Sequence, residues 1–455
     1  MASAIILMPF YSKFLTVEVF GTLSIYFAFA LLVQIVVAYS FDASLYLNFH
    51  EYKKDEKQLS IFISSAFVFI LLLSTAVGLL LAVTGNLIFE WIFKDDEISF
   101  LPFGILSVAT GIFQALFKVN NSLLQTQHKP VDFLWSNVVS FGLIASLTIL
   151  GLTIFPNSLW GPVVGKLVGA LISAAWVLSR IFKQFGIHFN WHLLKSTFVF
   201  NNSSLIYQVQ QWFINYYDRI LILALISKTT VGYYDLSLKL LLAIDFVLTG
   251  LNSSFHAKVI GKVNEQKEKA STIEINRYYY GLTGISILAV VGAILLFPPV
   301  IEYFFSAPYH AAIPLLPFAA LVYLLRPLRL SVAMPYAALK YSRPLPYFYL
   351  LIALIKIGLL YFFIRRWGVY GAIASTLVTY VIEIIILFFG IRNQYQFKIN
   401  SFKLVIAPML VGLSIIILEP LFGYNFTWLV HIFYATLGIS VLLWAYRNEL
   451  TLVKL

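Results

Sequence analysis

NNSSLIYQVQQWFINYYDR, residues 201–219, decides how this chain is read. Its polar residues Asn201, Ser204, Gln208, Gln211, Asn215 and Asp218 follow at steps of three and four, which on a helix draws one polar stripe down one face. About eighteen helical steps of ~1.5 Å run ~27 Å, close to the thickness of a bilayer's hydrocarbon. Around this stretch the 455-residue chain is 60% hydrophobic and 11% charged. A soluble fold would carry about 25% charged residues, so the class that follows is an all-α polytopic membrane protein. The chain has no cysteine, which removes disulfides, thiolate metal sites and thiol nucleophiles.

Apolar runs bounded by polar turns predict spans near 1–11, 21–47, 59–85, 101–127, 132–155, 161–180, 195–226, 231–256, 278–305, 312–339, 345–364, 370–390, 403–419 and 428–446. That makes about 14 transmembrane helices, the first incomplete. The N-terminus MASAIILMPFYSKF lacks the basic region and cleavage motif of a signal peptide. Alternate connections carry nineteen Lys and Arg, including Lys53, Lys54, Lys57, Lys258, Lys262, Lys267 and Lys269; the opposite set carries five, Lys13, Lys94, Lys228, Arg365 and Arg366. This bias places the richer turns and both termini in the cytoplasm. The net charge of +11 therefore faces anionic lipid headgroups, and nucleic acid is not implied.

The chain also repeats itself. FLTVEVFGTLS around Gly21 resembles LISKTTVGYYDLS around Gly232, and FEWIF at Glu90 resembles IEYFF at Glu302. Leu101-Pro102-Phe103 resembles Leu316-Pro317-Phe318, HKP at Pro130 resembles SRP at Pro344, and Trp160-Gly161 resembles Trp367-Gly368. The five matches keep their order at offsets of 207 to 215, the mark of an internal repeat. The expected organisation is two pseudo-symmetric six-helix lobes around a central cavity, 1–180 and 195–390, joined by a cytoplasmic linker 181–194 and followed by two extra helices in 391–455. A repeat of an even number of spans is parallel, the kind that transports by rocking its halves.

Ionisable groups inside spans are costly and mark functional candidates. Arg326 and Arg329 bracket Pro327, whose missing N–H should free backbone carbonyls to line a cavity, and the arginine pair is expected to face the lumen. For Lys118, Arg219 and Lys356 a cavity role and a structural one stay open. Lys166 is expected to snorkel, and Lys239 to pair with Asp235 one turn earlier. Asp42, Asp218, Asp245 and Glu383 are the acidic residues within spans. Asp42 and Asp245 are the candidates for coupling transport to protons, and each would serve equally to neutralise a neighbouring lysine. The amides Asn201, Gln208, Gln211 and Asn215, with Trp212 and Tyr216 beside them, suit a sugar in a wet cavity; the cations suit phosphate or a uronic acid. The plainer reading of the stripe is hydrogen bonding between helices.

Enzyme signatures are weak. Lys94-Asp95-Asp96-Glu97 lies where membrane glycosyltransferases keep acidic metal ligands, but it heads a helix, where acidic residues suit the N-terminal dipole. His188 and His192 have metal spacing without a third ligand, and FGIHFNWHLL reads as an amphipathic interfacial linker. No glycine-rich phosphate loop appears, and neither metal nor cofactor is expected.

The pattern Asp218-Arg219 followed by TTVGYYDLSLKL, the opening PFYSKFLTVEVFGTLS and the turns before Gly368 and Gly371 resemble bacterial polysaccharide-export flippases of the Wzx type, in the multidrug/oligosaccharidyl-lipid/polysaccharide exporter superfamily. The resemblance covers nearly the whole chain. It implies a V-shaped bundle with a cationic cavity that moves a polyprenyl-pyrophosphate-linked oligosaccharide from the cytoplasmic to the periplasmic leaflet of the inner membrane. It implies as partners the lipid-linked substrate, membrane lipids, a polysaccharide polymerase and a chain-length regulator. Members often carry an arginine near the cytoplasmic end of helix 2; this chain reads SFDASLYLNFHEY there, so that contact does not carry over. A lipid II flippase or a cation-coupled multidrug exporter of the same fold is the alternative, with a membrane glycosyltransferase or polymerase behind them.

Overall fold

A computed structural model describes residues 2–52, 55–93, 98–265, 269–341, 343–422, 433, 436–440 and 444–450. Lys53, Lys54, Lys267, the turn 94–97 and most of the expected span 428–446 lie outside the described residues. The chain is almost wholly helical: α1 Ala2–Phe14, α2 Val17–Ala38, α3 Phe41–Tyr52, α4 Glu56–Ile92, α5 Ile105–Thr126, α6 Pro130–Ile154, α7 Trp160–Phe185, α8 Trp191–Lys195, α9 Phe198–Leu225, α10 Lys228–Glu265, α11 Ile273–Phe304, α12 Leu316–Ala338, α13 Leu345–Ile391, α14 Ala407–Phe422 and α15 Arg447–Leu450. Among the described residues, nine helical runs are long and apolar enough to cross a membrane. The 28-residue α9 falls outside that set because its amides lower its hydropathy.

One expected span is interrupted and another division holds. The span 21–47 is broken: α2 ends at Ala38, Tyr39 and Ser40 adopt left-handed φ of 46° and 56°, and α3 restarts at Phe41. Left-handed backbone at two consecutive non-glycine residues costs on the order of 1–3 kcal/mol each and persists only where the surroundings impose it. The spans 345–364 and 370–390 stand as two helices: they form a continuous 47-residue run, α13, whose backbone is non-helical at Trp367 and Gly368 between them. Gly368, at φ 56°, is the residue type that takes this turn without a Cβ clash.

Contacts divide the chain into two compact units, one of Phe10–Gly232 and one of Met1–Pro9 with Tyr233–Leu455. In the first, α5 lies against α2, α3 and α7, α6 packs along α7, and α9 lies on α2. Ala28, Ile35 and Trp212 form the α2–α9 contact, covered by Leu31, Leu205 and Val209. The 187–190 connection is tied to α4, since the backbone N–H groups of His188 and Asn190 donate to Ser64 and Ser65 Oγ, both at 2.8 Å. In the second unit, α12 is packed between α11 and α13, with α14 against α12.

The repeat also shows as a reciprocal contact inside the first unit. A Cβ on Gly21 would lie 2.1 Å from the Lys228 carbonyl oxygen, and one on Gly232 would lie 2.4 Å from that of Val17. Val17 and Gly21 precede Lys228 and Gly232 by the same 211 positions, so the two close approaches involve equivalent positions of the sequence repeat. Close backbone approach of this kind requires glycine on both sides.

Candidate functional site

In the first unit the break at Tyr39–Ser40 carries a polar cluster. It brings the Ser40 hydroxyl and the Asp42 carboxylate to the faces of α5 and α9. Lys118 Nζ lies 2.9 Å from Asp42 Oδ2 and donates to Gln208 Oε1 at 2.9 Å, while Gln208 Nε2 donates to Ser40 Oγ at 2.9 Å. Ser122 donates to the Asp42 carbonyl, and Tyr39 to Asn202 Oδ1. The side chains of Lys118 and Asp42 keep 32% and 20% exposure, so the pair is not fully enclosed. Asp42 Oδ1 has no hydrogen-bond partner among the described residues.

The second unit holds a counterpart. Arg326 on α12 bonds Asp245 and donates to Thr249 Oγ1 at 2.7 Å, both on α10. One turn further, Arg329 Nε lies 2.7 Å from Glu383 Oε1 on α13, with the guanidinium 4.4 Å from the Tyr380 ring centroid. Arg326 and Arg329 retain side-chain exposures of 24% and 19%; Glu383 is buried at 1%. Each unit thus sets a cation of one helix (α5, α12) against a carboxylate of another (α3, α10). The carboxylates are 203 positions apart and Lys118 and Arg326 are 208 apart, against local repeat offsets of 211 and 215, so the two pairs are similar in kind but lie about two helical turns out of register.

The remaining candidates are enclosed. Lys356 is buried at 1% and donates to Ser375 Oγ at 3.2 Å and to Thr376 Oγ1, joining the two halves of α13. Arg219 and Asp218 are both buried; Arg219 Nη1 lies 2.9 Å from Asp218 Oδ1, donates to the Asn215 carbonyl at 2.9 Å and stacks over Tyr216. Lys239 pairs with Asp235 at 2.5 Å, and Lys166 Nζ lies 3.8 Å over the Phe27 ring.

The stripe on α9 is mixed in its uses. Gln208 joins the Lys118 cluster, whereas Asn201 is fully buried and donates to Thr197 Oγ1 at 3.3 Å. Gln211 Nε2 has no partner among the described residues, and Asn215 is exposed with its amide turned back to the Gln211 carbonyl. Trp212 is not a stacking surface for a sugar. It is 5% exposed, packed on Ala28 and Ile35, and its indole N–H donates to the Ala28 carbonyl at 2.8 Å. The expectation for Pro327 is also corrected. The carbonyl it frees, on Tyr323, accepts from Ser286 of α11 at 2.6 Å, and α12 continues through the proline. A buried carbonyl is satisfied by the nearest donor, here a neighbouring helix.

Sequence reasoning missed the break at Tyr39–Ser40 and the threonines beside Arg326 and Lys356. It noted Glu383 for the cost of a carboxylate at depth. Arg329 was noted too, but its pairing with Glu383, 54 residues later, carries no local signal.

With this geometry in hand, comparison identifies the relatives. A family model described as polysaccharide biosynthesis protein matches residues 1–255, more than half of the chain. The chain belongs to that family. An uncharacterized membrane protein of Haemophilus influenzae is 24% identical over 302 residues, 65% of this chain and 69% of that protein. The lipid II flippase MurJ in an inward closed conformation superposes with a TM-score of 0.72 at 17% identity, covering 99% of this chain and 96% of that one. An inward-facing multidrug resistance MATE family transporter of the MOP superfamily gives 0.71 at 13% identity, covering 86% and 94%. At these identities the structural likeness establishes the fold. This member of the polysaccharide biosynthesis protein family is a multi-pass membrane protein with the fold of MOP-superfamily transporters.

Proposed function

We infer that the protein is a flippase of the inner membrane, carrying a polyprenyl-pyrophosphate-linked oligosaccharide repeat unit from the cytoplasmic to the periplasmic leaflet by alternating access, for cell-surface polysaccharide synthesis. The observation that carries this reading is the presence of two partly exposed cation–carboxylate pairs between the helices, Lys118–Asp42 and Arg326–Asp245. A cation already partnered by a carboxylate is stable without cargo. An anionic pyrophosphate or uronic acid competes with the carboxylate for the cation. Asp42 and Asp245 are the coupling carboxylates of this reading, and Arg329 joins the cation set. Gln208 and the partly exposed Gln211 and Asn215 suit the neutral hydroxyls of a sugar. Asn201, Arg219 and Lys356 fit better as supports of the helices that carry these groups, since each is buried.

The repeat supports lobes of residues 1–180 and 195–390 rocking about a central path, with 181–194 as linker and 391–455 outside the repeat. A polymerase and a chain-length regulator are the partners this role requires. A lipid II cargo is the second reading, supported by the likeness to MurJ along 99% of this chain. A pump for cationic drugs is the remaining reading of the same fold.

The test is a deletion strain, in which lipid-linked oligosaccharides and surface polysaccharide are measured together. Complete repeat units accumulating in the membrane, with surface polymer lost, would support the reading and identify the cargo by mass. Accumulated lipid II would favour the second reading. Normal pools and normal surface sugar would refute both.

A further inference from the structure

Outside the polar clusters, the first unit holds a cavity of about 540 Å³ bordered by α5, α6 and α7. Its body is apolar. The polar groups along its wall bond one another: Ser140 Oγ and Ser173 Oγ lie 2.9 Å apart, and Ser136 donates to Asn121 Oδ1 at 3.3 Å. Its mouth is charged, with Arg180 Nη2 3.2 Å from Asp132 Oδ2, and it is flanked by the exposed Trp135 and Trp176. Along α6 the lining runs from Asp132 to Leu143, about eleven helical steps or ~16 Å, half of a ~30 Å hydrocarbon core. The mouth lies beside the Lys129–Pro130 turn, which the Lys and Arg bias places in the cytoplasm.

We propose that this slot is a binding site for one phospholipid of the cytoplasmic leaflet, phosphatidylethanolamine, with an acyl chain in the slot and its headgroup on the Asp132–Arg180 pair. A depth of one leaflet suits an acyl chain, whereas a polyprenyl chain would outrun it. The pair offers a carboxylate acceptor beside a guanidinium donor, which matches an ammonium and a phosphate on one headgroup. The Asp132 side chain is 51% exposed, so its free lone pairs face the headgroup region. Tryptophans at both sides of the mouth mark the interfacial depth at which such a headgroup lies. The site is separate from the cargo clusters and does not depend on the cargo's identity.

Native mass spectrometry of the full chain, purified and equilibrated with equimolar phosphatidylethanolamine and phosphatidylglycerol, tests this. The wild type should retain one phosphatidylethanolamine in preference by roughly two- to five-fold, the scale of one partly exposed ion pair. Asp132→Asn should shift the preference towards phosphatidylglycerol, Arg180→Gln should remove selectivity, and Ser140→Phe should lower retention of both. Quenching by phosphatidylethanolamine brominated on its acyl chain supplies a measurement without charge variants; Trp135→Phe/Trp176→Phe should abolish the part of the quenching that saturates. Equal retention of the two lipids by the wild type, Asp132→Asn selectivity unchanged, or displacement of the lipid by polyprenyl phosphate would overturn the proposal.

Discussion

Removing Arg329 should expose what the buried half of the second cluster costs. Glu383 is 1% exposed, its Oε1 lies 2.7 Å from Arg329 Nε, and its Oε2 has no partner among the described residues. Arg329→Met would leave a buried carboxylate without its cation, a change that costs about 3–5 kcal/mol in comparable sites. Arg329→Met/Glu383→Gln removes both charges. It should recover most of that loss, leaving about 1 kcal/mol for the surviving amide. The assay is reversible unfolding of the purified protein in mixed micelles, run on the wild type, both single variants and the double variant. A coupling of at least about 2–4 kcal/mol between the two positions is expected, the Arg329→Met loss less that of the double variant, and any loss from Glu383→Gln alone adds to it. Export by the same four proteins then separates packing from transport. The double variant should be folded yet export less than a tenth of the wild-type amount if, as proposed, Arg329 belongs to the cation set that meets the cargo. Additive single losses with no coupling would refute the ion-pair reasoning, and wild-type export from the double variant would remove Arg329 from the site.

The Lys118–Asp42 pair is more exposed, so Lys118→Met should lower stability by under about 1 kcal/mol while reducing export at least tenfold; equal losses of fold and export would make the pair structural. Trp212→Ala should cost about 3–5 kcal/mol and Trp212→Phe about 1, with export following stability. Export lost in a fully stable Trp212→Phe would mean that the indole touches cargo. Valine at Gly21 or at Gly232 should hold the α2 and α10 ends apart and destabilise the contact by about 1–3 kcal/mol, read as increased labelling of a cysteine placed at Val17; unchanged labelling would show that the approach is not tight.

Composition and the apolar runs were enough to establish an all-helical membrane chain. This rests on local chemistry: about twenty apolar residues cross a bilayer whatever they pack on. Collinear matches of glycines and prolines made a repeat in the sequence legible in the same local way. The pairing of charges was not legible there. Nothing near Arg329 announces Glu383 on α13, and nothing in SFDASLY says that the helix breaks so that Asp42 meets Lys118. Spacing on α9 showed a polar stripe, but which amide joins a cluster and which is enclosed depended on the helices laid against it. Periodicity assigns a residue to a face. Only the neighbouring helices determine whether that face meets solvent, a counter-charge or a close-packed core, because burial and pairing belong to contacts between segments distant in the chain.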